Sequence, residues 1–129
     1  MSSLEAKAAL NNEPLNRGVN PKLLDIVNPY MSKYGLNITD GYRDPATAGP
    51  NSAKNSQHYS GNAVDMNWSH LSNDQRLELA TALRNDGIGG IGFGNSILHA
   101  DLGNTRHWTY DNQGKWISGL PAYAQGLGW

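Results

Sequence analysis

Ser56-Gln57-His58-Tyr59-Ser60-Gly61-Asn62-Ala63-Val64-Asp65 is the stretch around which the rest of the chain makes sense. His58 and Asp65 are good ligands for a divalent cation. Gly61 lets the backbone between them turn tightly, and Ala63-Val64 reads as the start of a buried strand. A second histidine in a similar setting follows in Ser96-Ile97-Leu98-His99-Ala100-Asp101. Two imidazoles and one carboxylate, with a fourth position left to water, form the ligand set of a catalytic zinc rather than a structural one. The remainder of the chain then reads as the scaffold that brings His58, Asp65 and His99 together.

Composition bounds what that scaffold is. A chain of 129 residues fits one domain with a real core. Hydrophobic residues at 38% and 15 glycines point to a loop-rich fold with a small core. A net charge of −1 leaves no basic stripe and argues against nucleic acid as the main partner. No cysteine is present, which excludes disulfides and thiolate zinc sites. No apolar run approaches the ~18 residues needed to span a bilayer. The start of the chain lacks the basic-then-apolar pattern of a secretory signal, so something else is expected to deliver it to any site outside the cytoplasm.

Local signals give an α+β order of elements. Residues 1–19 read as a polar arm in which Ala6, Ala8 and Ala9 form a short helix ended by Pro14; residues 20–129 form the domain proper. Asn20-Pro21 is a helix start, followed by Leu23, Leu24, Ile26, Val27, Tyr30, Met31 and Tyr34 at helical spacing. Pro29 predicts a kink, or a split with Asn28 capping the second piece, and Gly35 a left-handed stop. A strand follows over 36–39. Residues 44–57 are a loop rich in Pro, Gly, Asn and Ser, long enough to be functional. The next strand covers 63–68. Ser72 and Gln75 make a capping box for a helix carrying Leu77, Leu79, Ala80 and Leu83 and ending at Asn85-Asp86-Gly87. Residues 88–93 are a strand or tight turn, 97–102 a strand, and 105–110 with 114–117 a hairpin around Asp111 to Gly114. Residues 119–129 read as a tail laid on the surface. The sum is α+β, a small antiparallel sheet packed with helices.

Taken in order, these motifs carry a resemblance. Ser56-x-His58-x-x-Gly61-x-Ala63-x-Asp65 followed by His99-x-Asp101 is similar to the zinc D,D-carboxypeptidases and L,D-endopeptidases of bacterial cell walls. That superfamily also holds the hedgehog signalling domain and several phage endolysins. Asp40-Gly41-Tyr42-Arg43 resembles the family's Ser-Gly-Tyr-Arg segment, and Arg106-His107-Trp108 its closing Arg-x-Trp. The resemblance spans roughly residues 20–110, and the ordered set is more specific than any one motif.

The resemblance implies Zn2+ held by His58, Asp65 and His99, and a peptidoglycan peptide as substrate. Arg43 would bind a substrate carboxylate or the developing oxyanion, a task suited to its planar fork of donors. Ser56 and Trp108 would line the substrate site. One departure stands out: many relatives carry an acid or His two or three residues before the last zinc His, where this chain has Ile97 and Ser96. Asp101 is the nearest carboxylate and, on a strand, shares a face with His99. It is expected to act as the base or to orient His99, with His107 as a substitute base.

Blander roles are assigned alongside. His70 reads as a surface residue, and Trp68, Trp116 and Trp129 as packing. The glycine-rich run from Gly87 to Gly94 lacks the Gly-Lys-Ser/Thr ending of a phosphate loop. Three classes remain. The first is a zinc peptidase of peptidoglycan, suited to a phage lysin, a virion-borne lytic protein or a delivered toxin. The second is a binding module that keeps the fold without turnover. The third is a structural component of a phage particle. Which bond is cut depends on the pocket shaped by the loop after Arg43, and oligomeric state leaves no trace in the sequence.

Overall fold

The computed structural model describes residues 18–41 and 57–129. Arg43, Ser56, most of the N-terminal arm and most of the loop leading to His58 lie outside these residues. The first helix, α1 (Pro21–Tyr34), starts as the sequence predicts. The Asn20 side chain accepts a hydrogen bond from the Lys22 N–H, and Pro21 occupies the first turn. It ends on Gly35 at φ 66°, whose N–H returns to the Met31 carbonyl. Pro29 does not split it: α1 is a single helix of 14 residues, and Asn28 caps nothing. Leu23, Val27 and Met31 bury one stripe on both sides of Pro29. That continuous packing holds the helix across the hydrogen bond the proline cannot make.

The strands β1 (Asn37–Asp40), β2 (Ala63–Asn67), β3 (Gly90–Phe93), β4 (Ile97–Asp101), β5 (Arg106–Tyr110) and β6 (Trp116–Ser118) form one sheet in the order β1-β2-β4-β3-β5-β6. A short 3-10 turn, Gln57–Ser60, precedes β2. The fold class is α+β, and the sheet is antiparallel except where β5 runs parallel to β3. That single parallel pair arises because β3 and β4 form a hairpin and the chain then steps over β3 to its free side. The β5–β6 hairpin turns on Asp111, whose carboxylate accepts from the N–H groups of Gln113 and Lys115.

The second helix, α2 (Asn73–Asn85), carries the reciprocal capping box between Ser72 and Gln75. Its Leu79, Ala80 and Leu83 join Leu23, Val27 and Met31 of α1 in one buried cluster with Val64, Met66, Ile91, Phe93, Leu98 and Ala100 of the sheet. The C-terminal residues are not a surface tail. Ala122–Leu127 form a second 3-10 turn with Ala124 fully buried. Trp129 packs on Phe93 and takes the Arg84 guanidinium over its ring at 4.3 Å. The apolar area of Tyr123, Leu127 and Trp129 finds a partly buried home against the cluster, which a polar tail would not need. Among the described residues no helix is long and apolar enough to cross a membrane.

Candidate metal centre

β2 and β4 are paired so that Asp65 lies directly opposite His99. Side chains of a strand alternate between faces, so Val64, Met66, Leu98 and Ala100 enter the core while Asp65, His99 and Asp101 share the other face. His58 arrives from the 3-10 turn before β2. Gly61 follows at φ 74°, where an added Cβ would lie 2.0 Å from the Gly18 carbonyl oxygen, so only glycine allows this approach. The Gly61 carbonyl accepts from the Asn20 N–H at 2.7 Å, tying the turn to the start of α1.

The three side chains converge. His99 Nδ1 is 2.9 Å from Asp65 Oδ1, and His58 Nε2 is 3.4 Å from Asp65 Oδ2. One donor atom from each of His58, Asp65 and His99 lies within 4.8 Å of the others. The remaining nitrogen of each histidine is held from behind. His58 Nδ1 sits 2.6 Å from the Gly41 carbonyl, and His99 Nε2 sits 2.7 Å from Asp101 Oδ2. These contacts put the proton on the rear nitrogens and leave His58 Nε2 and His99 Nδ1 facing Asp65. A carbonyl or carboxylate behind each imidazole is the arrangement that orients metal-ligating histidines.

The electrostatics ask for positive charge at this point. Burial alone would disfavour the charged form of Asp65, but hydrogen bonds and charge from His58 and His99 overcome it and hold the carboxyl well below the usual range. Burial likewise opposes a charged His99, yet hydrogen bonds to Asp101 and Asp65 raise its affinity for a proton. A proton and a metal ion compete for the same Nδ1 lone pair. Two neutral imidazoles and a carboxylate suit a divalent ion such as zinc.

Asp101 is fully buried, and both of its oxygens are engaged. Oδ2 receives His99 Nε2 and Arg106 Nη2, each at 2.7 Å, while Oδ1 receives the Gly103 N–H and Arg106 Nη1. Against the effect of burial, hydrogen bonds from His99 and Arg106 lower its pKa to about 2. Of the two tasks expected of Asp101, orienting His99 has the geometry. Collecting a proton from a substrate does not, because the carboxylate is enclosed by protein donors.

A family model described as peptidoglycan L,D-endopeptidase MepK matches residues 8–108. The chain belongs to this family of peptidases. The crystal structure of the Serratia marcescens L-Ala D-Glu endopeptidase ChiX is similar in fold, with a TM-score of 0.51 and 22% identity. The match covers 72% of this chain and 86% of that one. No curated protein sequence matches significantly.

Other expected site residues of the peptidase fall in different places. Trp108 packs its ring 5.1 Å from that of His99 but is only 3% exposed, because Trp116 stacks on it at 4.3 Å and 15°. It therefore backs the site and offers a substrate little surface. His107, the substitute base, sits on β5 between Arg106 and Trp108 and so points to the opposite face, where its ring meets Trp129. It cannot serve the metal centre. His70 is exposed and bonds the Tyr34 carbonyl, a surface role as expected.

Four features escaped the sequence. The Gly41 carbonyl is backbone and leaves no side-chain signal. Arg106 belonged to a recognised motif, but its two-pronged grip on Asp101 needed the register to appear. Gly90 and Gly92 on β3 form a trough: a Cβ at Gly90 would lie 2.4 Å from the Asp101 carboxylate, and one at Gly92 would lie 2.7 Å from Trp108 and Tyr110. Glycines at alternate positions of a predicted strand were the available clue. Trp116, read as packing, is 62% exposed.

Proposed function

We propose that the chain is a zinc-dependent peptidase cutting peptide stems or crosslinks of bacterial peptidoglycan, with His58, Asp65 and His99 holding the metal. The observation that carries this is the convergence of these three donors, each histidine braced through its second nitrogen, in a chain of a peptidoglycan L,D-endopeptidase family. Zinc bound there would polarise a scissile carbonyl and acidify a water. Asp101, clamped by Arg106, keeps His99 in the tautomer and orientation that ligation needs. Arg43 is the proposed grip on a substrate carboxylate or oxyanion, and Ser56 a hydrogen-bonding residue of the loop beside His58. The family description favours an L,D over a D,D bond. Lysis by a phage or virion-borne protein is the setting we favour, supported by the resemblance to endolysins.

A second reading, a zinc-containing binding or structural module without turnover, draws on one observation. Ile97 and Ser96 replace the acid found before the last ligand in many relatives, and Asp101 is fully engaged. Incubation of zinc-loaded protein with purified peptidoglycan, followed by mass spectrometry of released fragments, separates the two. Fragments with new termini, absent with His58→Ala, are expected. Their absence from protein that holds stoichiometric zinc would leave the binding module standing.

A further inference from the structure

We propose that Trp116 is a sugar-stacking subsite beside the metal centre, taking a pyranose ring of the glycan strand that carries the stem peptide. The inference rests on the peptidoglycan reading and deepens it. Trp68 is fully buried and Trp108 nearly so, whereas Trp116 is the one indole with most of its surface free. Its place is defined by register. In the antiparallel β5–β6 pair, Tyr110 lies opposite Trp116 and Trp108 opposite Ser118. Side chains at opposed positions share a face, so Trp116 and Ser118 stand on the same face as His99, Asp65 and Trp108.

The indole is also preorganised. One of its faces lies on Trp108, nearly parallel at 4.3 Å, and Trp108 in turn packs against His99. Holding the ring in place before binding reduces the entropy a ligand must offset. Beside it, at the edge where β5 extends past β6, lies a recess of about 190 Å³ lined by Arg106, His107, Trp108, Trp116, Ser118 and Gly119. That is below the ~300–1,000 Å³ of ordinary ligand pockets, so it admits one ring and not a folded chain. Within peptidoglycan, the stem peptide offers small or charged side chains, while the sugars offer rigid rings with a flat face of C–H groups. Such a face is the complement of the electron-rich face of an indole, and the partly exposed Arg106 guanidinium and Ser118 hydroxyl can meet ring hydroxyls.

The test follows the Trp116 indole N–H signal by NMR in zinc-loaded protein while GlcNAc-MurNAc disaccharide, or the sugar-free stem peptide, is added. It is paired with cleavage rates on a disaccharide-peptide and on the same peptide without sugars. The signal is expected to move with the disaccharide and not with the free peptide. Trp116→Ala should raise KM on the glycosylated substrate about 3- to 10-fold more than on the bare peptide, and Trp116→Tyr should recover part of that difference. A signal that ignores the disaccharide, or an equal loss on both substrates, would overturn the subsite. A disaccharide-dependent shift without cleavage of either substrate would keep the subsite and sink the peptidase reading.

Discussion

The two faces of β2 and β4 are built from alternate residues of the same ten positions, yet they solve burial in opposite ways. On one face Val64, Met66, Leu98 and Ala100 are fully buried against the helices. Their stabilisation is non-directional and grows with the apolar area removed from water. On the other, His99 and Asp101 are almost as deeply buried, but their polar atoms are matched to particular partners, Asp65, Arg106 and the Gly103 N–H. A buried polar group is tolerated only under that condition. The core face should therefore forgive changes of shape at constant volume, while the site face should forgive almost none.

The largest expected effect lies in the core. Leu98→Ala should lower unfolding stability by about 2–5 kcal/mol, read by denaturant titration, and leave zinc stoichiometry unchanged. Loss of zinc at a denaturant concentration where the variant is still folded would show that the two faces are coupled and break the contrast. On the site face, Asp101→Asn keeps the volume but removes the charge from between His99 and Arg106. Zinc affinity should fall about 10- to 100-fold, measured by competition with a chelator. An unchanged affinity would mean that His99 is oriented by something other than Asp101.

A smaller effect probes the glycine trough. Gly92→Ala places a methyl 2.7 Å from the Trp108 and Tyr110 rings and should cost about 1–3 kcal/mol through overpacking. The near-ultraviolet tryptophan signal should change with it, while Ile91→Val, one residue away on the core face, should leave that signal intact.

The smallest effect is alkaline. Burial, aided by the negative charge of Asp65, pushes the Tyr110 phenol up to about 12, with Trp108 and Trp116 opposing. The folded state thus holds this proton to higher pH than the unfolded chain, whose tyrosines titrate near ~10. Its contribution is complete below pH ~10 and is lost as pH rises through 12. Tyr110→Phe should lose less stability than the parent across that window, as read by thermal melts. Equal losses would show that another group governs the alkaline limb.

How much was visible beforehand depended on range. Asn20-Pro21, Gly35 and the Ser72/Gln75 box were readable because caps act within a few residues. The candidate ligands were readable because imidazole and carboxylate chemistry belongs to the side chain, and the short spacing from His58 to Asp65 confined where two of them could lie. The split expected at Pro29 did not occur because its local penalty was outweighed by Leu23, Val27 and Met31 packing on distant strands. The C-terminal residues misled because their burial rests on Phe93 and Arg84, dozens of positions away.

From its sequence alone this protein's candidate ligand residues, its helix ends and its α+β order follow, since each is set by side-chain chemistry or by neighbours along the chain. The tertiary structure decided what depends on register. It set Asp65 opposite His99, put the Gly41 carbonyl behind His58, locked Asp101 into the Arg106 fork, and left Trp116 rather than Trp108 facing outward. Register is the sum of many weak long-range contacts, and a slip of one residue would turn Asp65 and His99 into the core.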